Sequence, residues 1–218
     1  MTLVLWSLST LASLVYGLHF TFLQTSWAKT IVKTIPVAAF AVLSWSVGGG
    51  ALLTGALVLG AIGDLTLSRD GDRNFLIGLV AFLFGHLLYI LLFLGAGSVA
   101  FALPSENWRW FAMGLVIILG VGTYLKLYPA FGALRLPVLL YVIVSLGLGF
   151  VALGQPDGDA MAWAVVGALL FILSDIVLAF DLFGDVETER TQRLLAVTVW
   201  FSYWGGQCLI LVGMLGLA

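Results

Sequence analysis

The sequence predicts an all-α, polytopic membrane bundle of eight transmembrane helices, and three observations carry that prediction. Of 218 residues, 62% are hydrophobic and 9% charged, against roughly a quarter charged in soluble domains. The apolar residues gather into runs of membrane-spanning length. Most charges fall in short turn-forming linkers between those runs. Nine Lys or Arg and eleven Asp or Glu, twenty charges in all, cannot cover a water-soluble protein of this size. That excludes a soluble enzyme, a nucleic-acid binder and a disordered chain. The single cysteine, Cys208, excludes a disulfide framework and any multi-cysteine metal or redox site.

A spanning helix needs about 20 mostly apolar residues, with a range of roughly 17–25. It is expected to be continuous, because lipid cannot satisfy exposed backbone groups. The first stretch, 3–22, has no basic region before it and no clear small-residue cleavage site after it. It therefore reads as a retained helix rather than a signal peptide. The second, 32–47, is short and opens on Lys33 and Pro36. Gly48-Gly49-Gly50 turns the chain into the third, 50–68. The fourth, 74–95, is followed by a turn at Pro104-Ser105, then come the fifth, 108–126, and the sixth, 135–153. Gln155-Pro156-Asp157-Gly158 leads into the seventh, 159–180, and Gly184-Asp185 precedes the eighth, 191–217. No linker is long enough for a second domain, so residues 1–218 read as one integral membrane domain. The 26 glycines suit close helix packing, as at Ala56 and Gly60 or Gly78 and Gly85.

Numbering the connections sorts the basic residues. Lys29, Lys33, Arg69, Arg73, Lys126, Arg135, Arg190 and Arg193 fall in or beside the odd ones, and Arg109 alone falls beside an even one. The positive-inside rule then puts the odd connections in the cytoplasm and both termini outside. An internal echo accompanies this order. Gly63-Asp64-x-x-Leu67-x-x-Asp70 in helix three is matched by Ser174-Asp175-x-x-Leu178-x-x-Asp181 in helix seven, and Lys33-x-x-Pro36-Val37 by Arg135-x-Pro137-Val138. Helices one to four would thus be repeated as five to eight, roughly 1–100 and 105–218, as two parallel four-helix repeats. Such a repeat would face Asp64 and Asp175 toward each other across its axis.

An acid at the centre of a spanning helix costs about 2.5–3.5 kcal/mol on insertion scales and is functional by default. Asp64, about a turn before the cytoplasmic end of helix three, and Asp175, at similar depth in helix seven, are acids within such spans, whereas Asp70 and Asp181 fall at the interface, where water solvates them. Phe75, Gly78, Phe82, His86 and Tyr89 recur at three- and four-residue steps and share one face of helix four. Gly167, Phe171, Asp175 and Leu178 form a stripe with Ser174 beside it, and Trp200, Tyr203 and Gln207 share a face of helix eight. His86 is either a hydrogen-bonded structural residue or a ligand. Tyr141, Tyr203 and Gln207 are either site residues or interhelical glue. Lys33 either anchors the topology or meets a phosphate headgroup. By depth, these residues would form one polar pocket opening toward the cytoplasm, suited to an amphiphile. Two histidines and one cysteine cannot build a three-histidine zinc site. Neither a resident metal nor a cofactor is expected, although aspartates with one histidine could hold a weaker ion.

Taken in order, these motifs resemble the YhhN-type lysoplasmalogenase family: Gly63-Asp64-x-x-Leu67; Phe75-x-x-Gly78-x-x-x-Phe82-x-x-x-His86-x-x-Tyr89; Pro137-x-x-x-Tyr141; Gly167-x-x-x-Phe171-x-x-Ser174-Asp175-x-x-Leu178; and Tyr203-x-x-x-Gln207. The resemblance runs from about residue 29 to 210. It departs from the family at Lys33 and Pro36, which the family has as an adjacent pair. It implies an eight-helix intramembrane hydrolase that cleaves the vinyl ether bond of lysoplasmalogens, releasing a fatty aldehyde and a glycerophospho-base. The substrate would be a lysophospholipid, and the expected location the bacterial inner membrane.

A vinyl ether hydrolyses when an acid protonates the enol carbon and water captures the resulting oxocarbenium ion. Two carboxyls suit that chemistry, as they suit glycosidases, and burial with mutual repulsion can keep one of a close pair protonated. Asp64 and Asp175 are the catalytic candidates. Lys33, His86, Tyr89, Tyr141, Ser174, Tyr203 and Gln207 are candidates to bind or orient substrate. Ser174 lacks the glycines of a nucleophile elbow. The competing readings are a proton-coupled transporter, a lysolipid hydrolase of other bond specificity, and a structural membrane subunit.

Overall fold

The structure, a computed structural model, describes residues 1–96 and 106–217. The expected turn at Pro104-Ser105 lies outside the described residues. Eight α-helices make up the described chain: α1 (Thr2–Leu18), α2 (Trp27–Ser46), α3 (Gly50–Leu67), α4 (Asp72–Ala96), α5 (Asn107–Leu127), α6 (Arg135–Leu153), α7 (Asp159–Phe183) and α8 (Glu189–Leu215). Short 3₁₀ segments, Phe20–Phe22 and Tyr128–Leu134, follow α1 and α5, and the described residues contain no strand. Seven stretches are long and apolar enough to cross a membrane, and one of them, Asn107–Leu153, contains both α5 and α6.

The expected helices match these closely, with one informative difference. α2 begins at Trp27, five residues before the apolar run, because the Ser26 side chain caps it by accepting from the Lys29 backbone N–H at 3.1 Å. Lys33 therefore lies well inside α2 rather than at its start. The buried Pro36 breaks the ladder within α2, a defect spanning helices tolerate when neighbours re-satisfy the freed groups. The turn into α3 uses Gly48 (φ 79°) and Gly50 (φ 80°), left-handed conformations that glycine adopts without a Cβ clash.

The chain divides into two compact units at residues 92 and 93. In the first, α1 and α3 pack on α2. α4 meets α3 through small residues: a Cβ on Gly63 would lie 2.5 Å from the Phe82 ring, and one on Gly78 2.6 Å from Leu67 Cγ. One face of α4 buries Gly78, Phe82, His86 and Tyr89, and the opposite face exposes Leu76, Ile77, Val80 and Phe84. Gly78 thus serves packing, as its spacing predicts.

In the second unit α7 and α8 are the tightest pair. A Cβ on Gly167 would sit 2.6 Å from the Ile210 backbone nitrogen, and one on Gly213 2.5 Å from the Ala160 carbonyl. Backbones this close gain dispersion contacts, the main driving force where lipid removes the hydrophobic one. The 3₁₀ segment tucks Phe131 among Leu127, Val138 and Phe183. Arg109, the one basic residue that the sequence places beside an even connection, is 6% exposed. Its guanidinium donates to the Leu153 carbonyl at 3.1 Å, to the Gln155 carbonyl and to the Asp157 carboxylate. A cation there satisfies the carbonyl end of α6, so a local structural need explains the exception.

Gly167→Val should lower the thermal unfolding midpoint in detergent by several degrees, for an overpacking cost of about 1–3 kcal/mol. Gly114→Ala, on α5 with open space where its Cβ would go, should leave the midpoint unchanged or raise it.

Candidate active site

Asp64 sits three residues before the end of α3, on a chain otherwise apolar for two turns. Gly63 beside it allows the Phe82 ring to lie against α3, and the Asp64 side chain is 1% exposed. A carboxylate so enclosed needs an opposite charge or hydrogen-bond donors. Lys33 answers from α2, its Nζ 3.8 Å from Asp64 Oδ1 and its side chain 16% exposed. The ring of Tyr16, on α1, stands 5.9 Å from the same ammonium, within cation–π range. Thus three successive helices contribute a ring, a cation and an anion. Lys33 serves here as the partner of an acid.

Asp175 lies eight residues before the end of α7, about one turn deeper than Asp64 in its helix. Two hydroxyls from α6 reach it: Tyr141 donates to Oδ1 at 2.9 Å and Ser145 to Oδ2 at 3.1 Å. Tyr141 and Ser145 are four residues apart, hence on one face of α6. In both units the partner of the aspartate comes from the helix that precedes it in sequence. The chemistry differs, an ammonium in one and two hydroxyls in the other.

His86 is buried, with Nδ1 2.8 Å from the Phe82 carbonyl. Since a carbonyl only accepts, Nδ1 carries the proton in that contact. Tyr89 is fully buried one turn further along α4. Ser174 donates to the Phe171 carbonyl at 2.6 Å, a helix back-bond that commits its hydroxyl locally. Phe171 packs on Tyr203 with centroids 5.4 Å apart, and Trp200 lies 6.0 Å from Tyr203. Gln207 is fully buried one turn beyond Tyr203 on α8. Lys33 and Asp64 are thus brought together, as are Tyr141 and Asp175, and Ser174, Phe171 and Tyr203 adjoin along α7 and α8. Among the described residues, no group of three or more His, Cys, Asp or Glu could hold a metal ion.

Tyr16 and Ser145 were not singled out by sequence reasoning. Ser145 had a usable signal, since it is the polar residue one turn beyond Tyr141 in an apolar helix. Tyr16 had none, because its role depends on α1 lying against α2.

The model of the YhhN family matches residues 28–214. This chain belongs to the YhhN family. Among curated relatives, it is 35% identical over 198 residues to Lysoplasmalogenase TMEM86B of Homo sapiens, covering 88% of this chain and 77% of that protein. It is 34% identical over 189 residues to the Sus scrofa protein of the same name, covering 82% and 73%. A Lysoplasmalogenase of Mycobacterium bovis is 30% identical over 164 residues, 74% of this chain and 59% of that one. No solved structure matches. The YhhN match spans both aspartates and their partners on α2 and α6, and leaves out Tyr16.

Lys33→Met should destabilise the protein by about 3 kcal/mol, because it removes the cation paired with the buried Asp64 carboxylate. Adding Asp64→Asn should restore most of that loss. Thermal unfolding of the two single variants and the double variant in one detergent measures the coupling.

Proposed function

We propose that this chain is an intramembrane lysoplasmalogenase, hydrolysing the vinyl ether bond of lysoplasmalogens to a fatty aldehyde and a glycerophospho-base. The observation that carries this reading is identity of 30–35% to proteins named lysoplasmalogenase over most of the chain. The reaction begins when a carboxylic acid delivers its proton to the outer carbon of the double bond. Electrons from the ether oxygen move in to form the oxocarbenium ion. A carboxylate takes a proton from the attacking water, whose oxygen bonds to the cationic carbon. The hemiacetal then collapses: its hydroxyl proton goes to the deprotonated carboxyl, the protonated carboxyl gives its proton to the glycerol oxygen as the C–O bond breaks, and aldehyde and alcohol leave with both carboxyls restored. Asp64 and Asp175 carry these proton transfers in our reading. Both are acids inside apolar helices, where an ionisable group with no task is rare. Tyr141 orients Asp175, Lys33 balances Asp64, and His86, Tyr89, Ser174, Tyr203 and Gln207 shape the surroundings of the substrate.

All eight helices cross the membrane in this reading, with the odd connections in the cytoplasm and both termini outside. The distribution of basic residues supports it, as does the structural role of Arg109, the exception. A parallel repeat is supported by the echo around Asp64 and Asp175 and by the partner of each coming from the preceding helix. The bacterial inner membrane is the location we propose.

Asp64→Asn and Asp175→Asn should each lower aldehyde release from lysoplasmalogen by about 100-fold or more, the usual contribution of a positioned acid or base. Both variants should still insert and purify. Mass spectrometry over vinyl-ether, alkyl-ether and acyl lysolipids should show product from the vinyl ether alone. Full activity in either variant excludes that aspartate from the chemistry. A C-terminal alkaline phosphatase fusion should be active outside the cell, whereas fluorescence from a C-terminal green fluorescent protein fusion overturns the proposed topology.

A further inference from the structure

The α1–α2 and α3–α4 connections meet in the first unit, where Thr25 donates to the Asp70 carboxylate at 2.8 Å. Around that contact lie two cations with no part in the ion pair at Asp64. Lys29 is half-buried, and its Nζ donates to the carbonyls of Leu23 at 2.7 Å and Thr21 at 3.3 Å. It lies within electrostatic range of Lys33 and Asp70. The Arg69 guanidinium stands 4.3 Å from the ring centroid of Trp27, which is 66% exposed. Lysines near helix ends ordinarily snorkel toward water. Lys29 instead is fixed by backbone, with one of its three ammonium donors left over. Lys29, Lys33 and Arg69 against Asp64 and Asp70 leave one net positive charge, three minus two, which one phosphodiester would neutralise.

We infer that Lys29, assisted by Arg69, is the anchor for the headgroup phosphate of the lysolipid substrate. The inference rests on the proposed lysoplasmalogenase reading. Lys29 precedes Lys33 by one helical turn, a rise of about 6 Å, and the Asp64 carboxylate lies 3.8 Å from the Lys33 ammonium. In a lysoplasmalogen, six bonds separate the phosphorus from the vinyl ether carbon that water attacks, about 8 Å when extended. A phosphate held at Lys29 therefore brings the vinyl ether within reach of Asp64.

The test compares lysoplasmalogen with the phosphate-free 1-alkenyl-glycerol as substrates of the full chain in bilayer discs. Lys29→Gln keeps a side-chain donor for the two carbonyls but lacks the charge. It should lower the ratio of kcat/KM between the phosphate-bearing and phosphate-free substrates about tenfold or more, mainly through KM. Lys29→Arg should restore the ratio, and Arg69→Gln, on a different connection, should lower it in the same direction. An unchanged ratio in both glutamine variants overturns the anchor while the lysoplasmalogenase reading stands. No hydrolysis of either substrate by the unaltered protein overturns that reading instead. Competition by sn-glycero-3-phosphoethanolamine but not by inorganic phosphate supports a headgroup site, and competition by both equally overturns it in favour of a free-anion site.

Discussion

Hydrocarbon offers a buried charge neither water nor a hydrogen-bond partner, and the positions of the ionisable groups in this chain answer to that constraint. A carboxylate within a spanning helix has to be met by the protein itself. Asp64 is met by the Lys33 ammonium on the neighbouring helix, and Asp175 by the hydroxyls of Tyr141 and Ser145. The same rule governs smaller groups. Thr30, Thr34, Thr66 and Ser202 turn their hydroxyls back onto carbonyls of the preceding turn, which satisfies polar groups that helix packing buries or half-buries.

Packing decides where these polar contacts can occur. Gly63 and Gly78 let α4 close on α3, and the ring admitted by Gly63 helps seal the surroundings of Asp64. Gly167, Gly206 and Gly213 do the same between α7 and α8, drawing Phe171 and Tyr203 together. Small residues thus give the family motifs a physical meaning. The glycines set helix separation, the aromatics fill the space, and the acids occupy what is left.

The helices were legible in the sequence because spanning runs must be long, apolar and nearly uninterrupted, and few other architectures share that pattern. The start of α2 was not, since the Ser26 cap begins it at Trp27, ahead of the apolar run, which brings Lys29 into the helix and leaves Lys33 well inside it. The place of Arg109 apart from the other basic residues was readable but its purpose was not, because the carbonyls it binds lie more than forty residues away in sequence. Likewise both aspartates stood out by the cost of burying them, whereas the partners of each come from a different helix.

Composition and periodicity alone determined that this chain is a helical membrane protein, which face of α4 turns inward, and which two acids lack an explanation in solvation. Each of these is a local property, set within a few turns by helix geometry and transfer free energy. The tertiary structure decided that Asp64 has a cation for a neighbour and Asp175 two hydroxyls, that Ser174 is spent on its own helix, and that Arg109 closes the end of α6. Those outcomes depend on how neighbouring helices rotate and how closely small residues let them approach, which no single segment encodes.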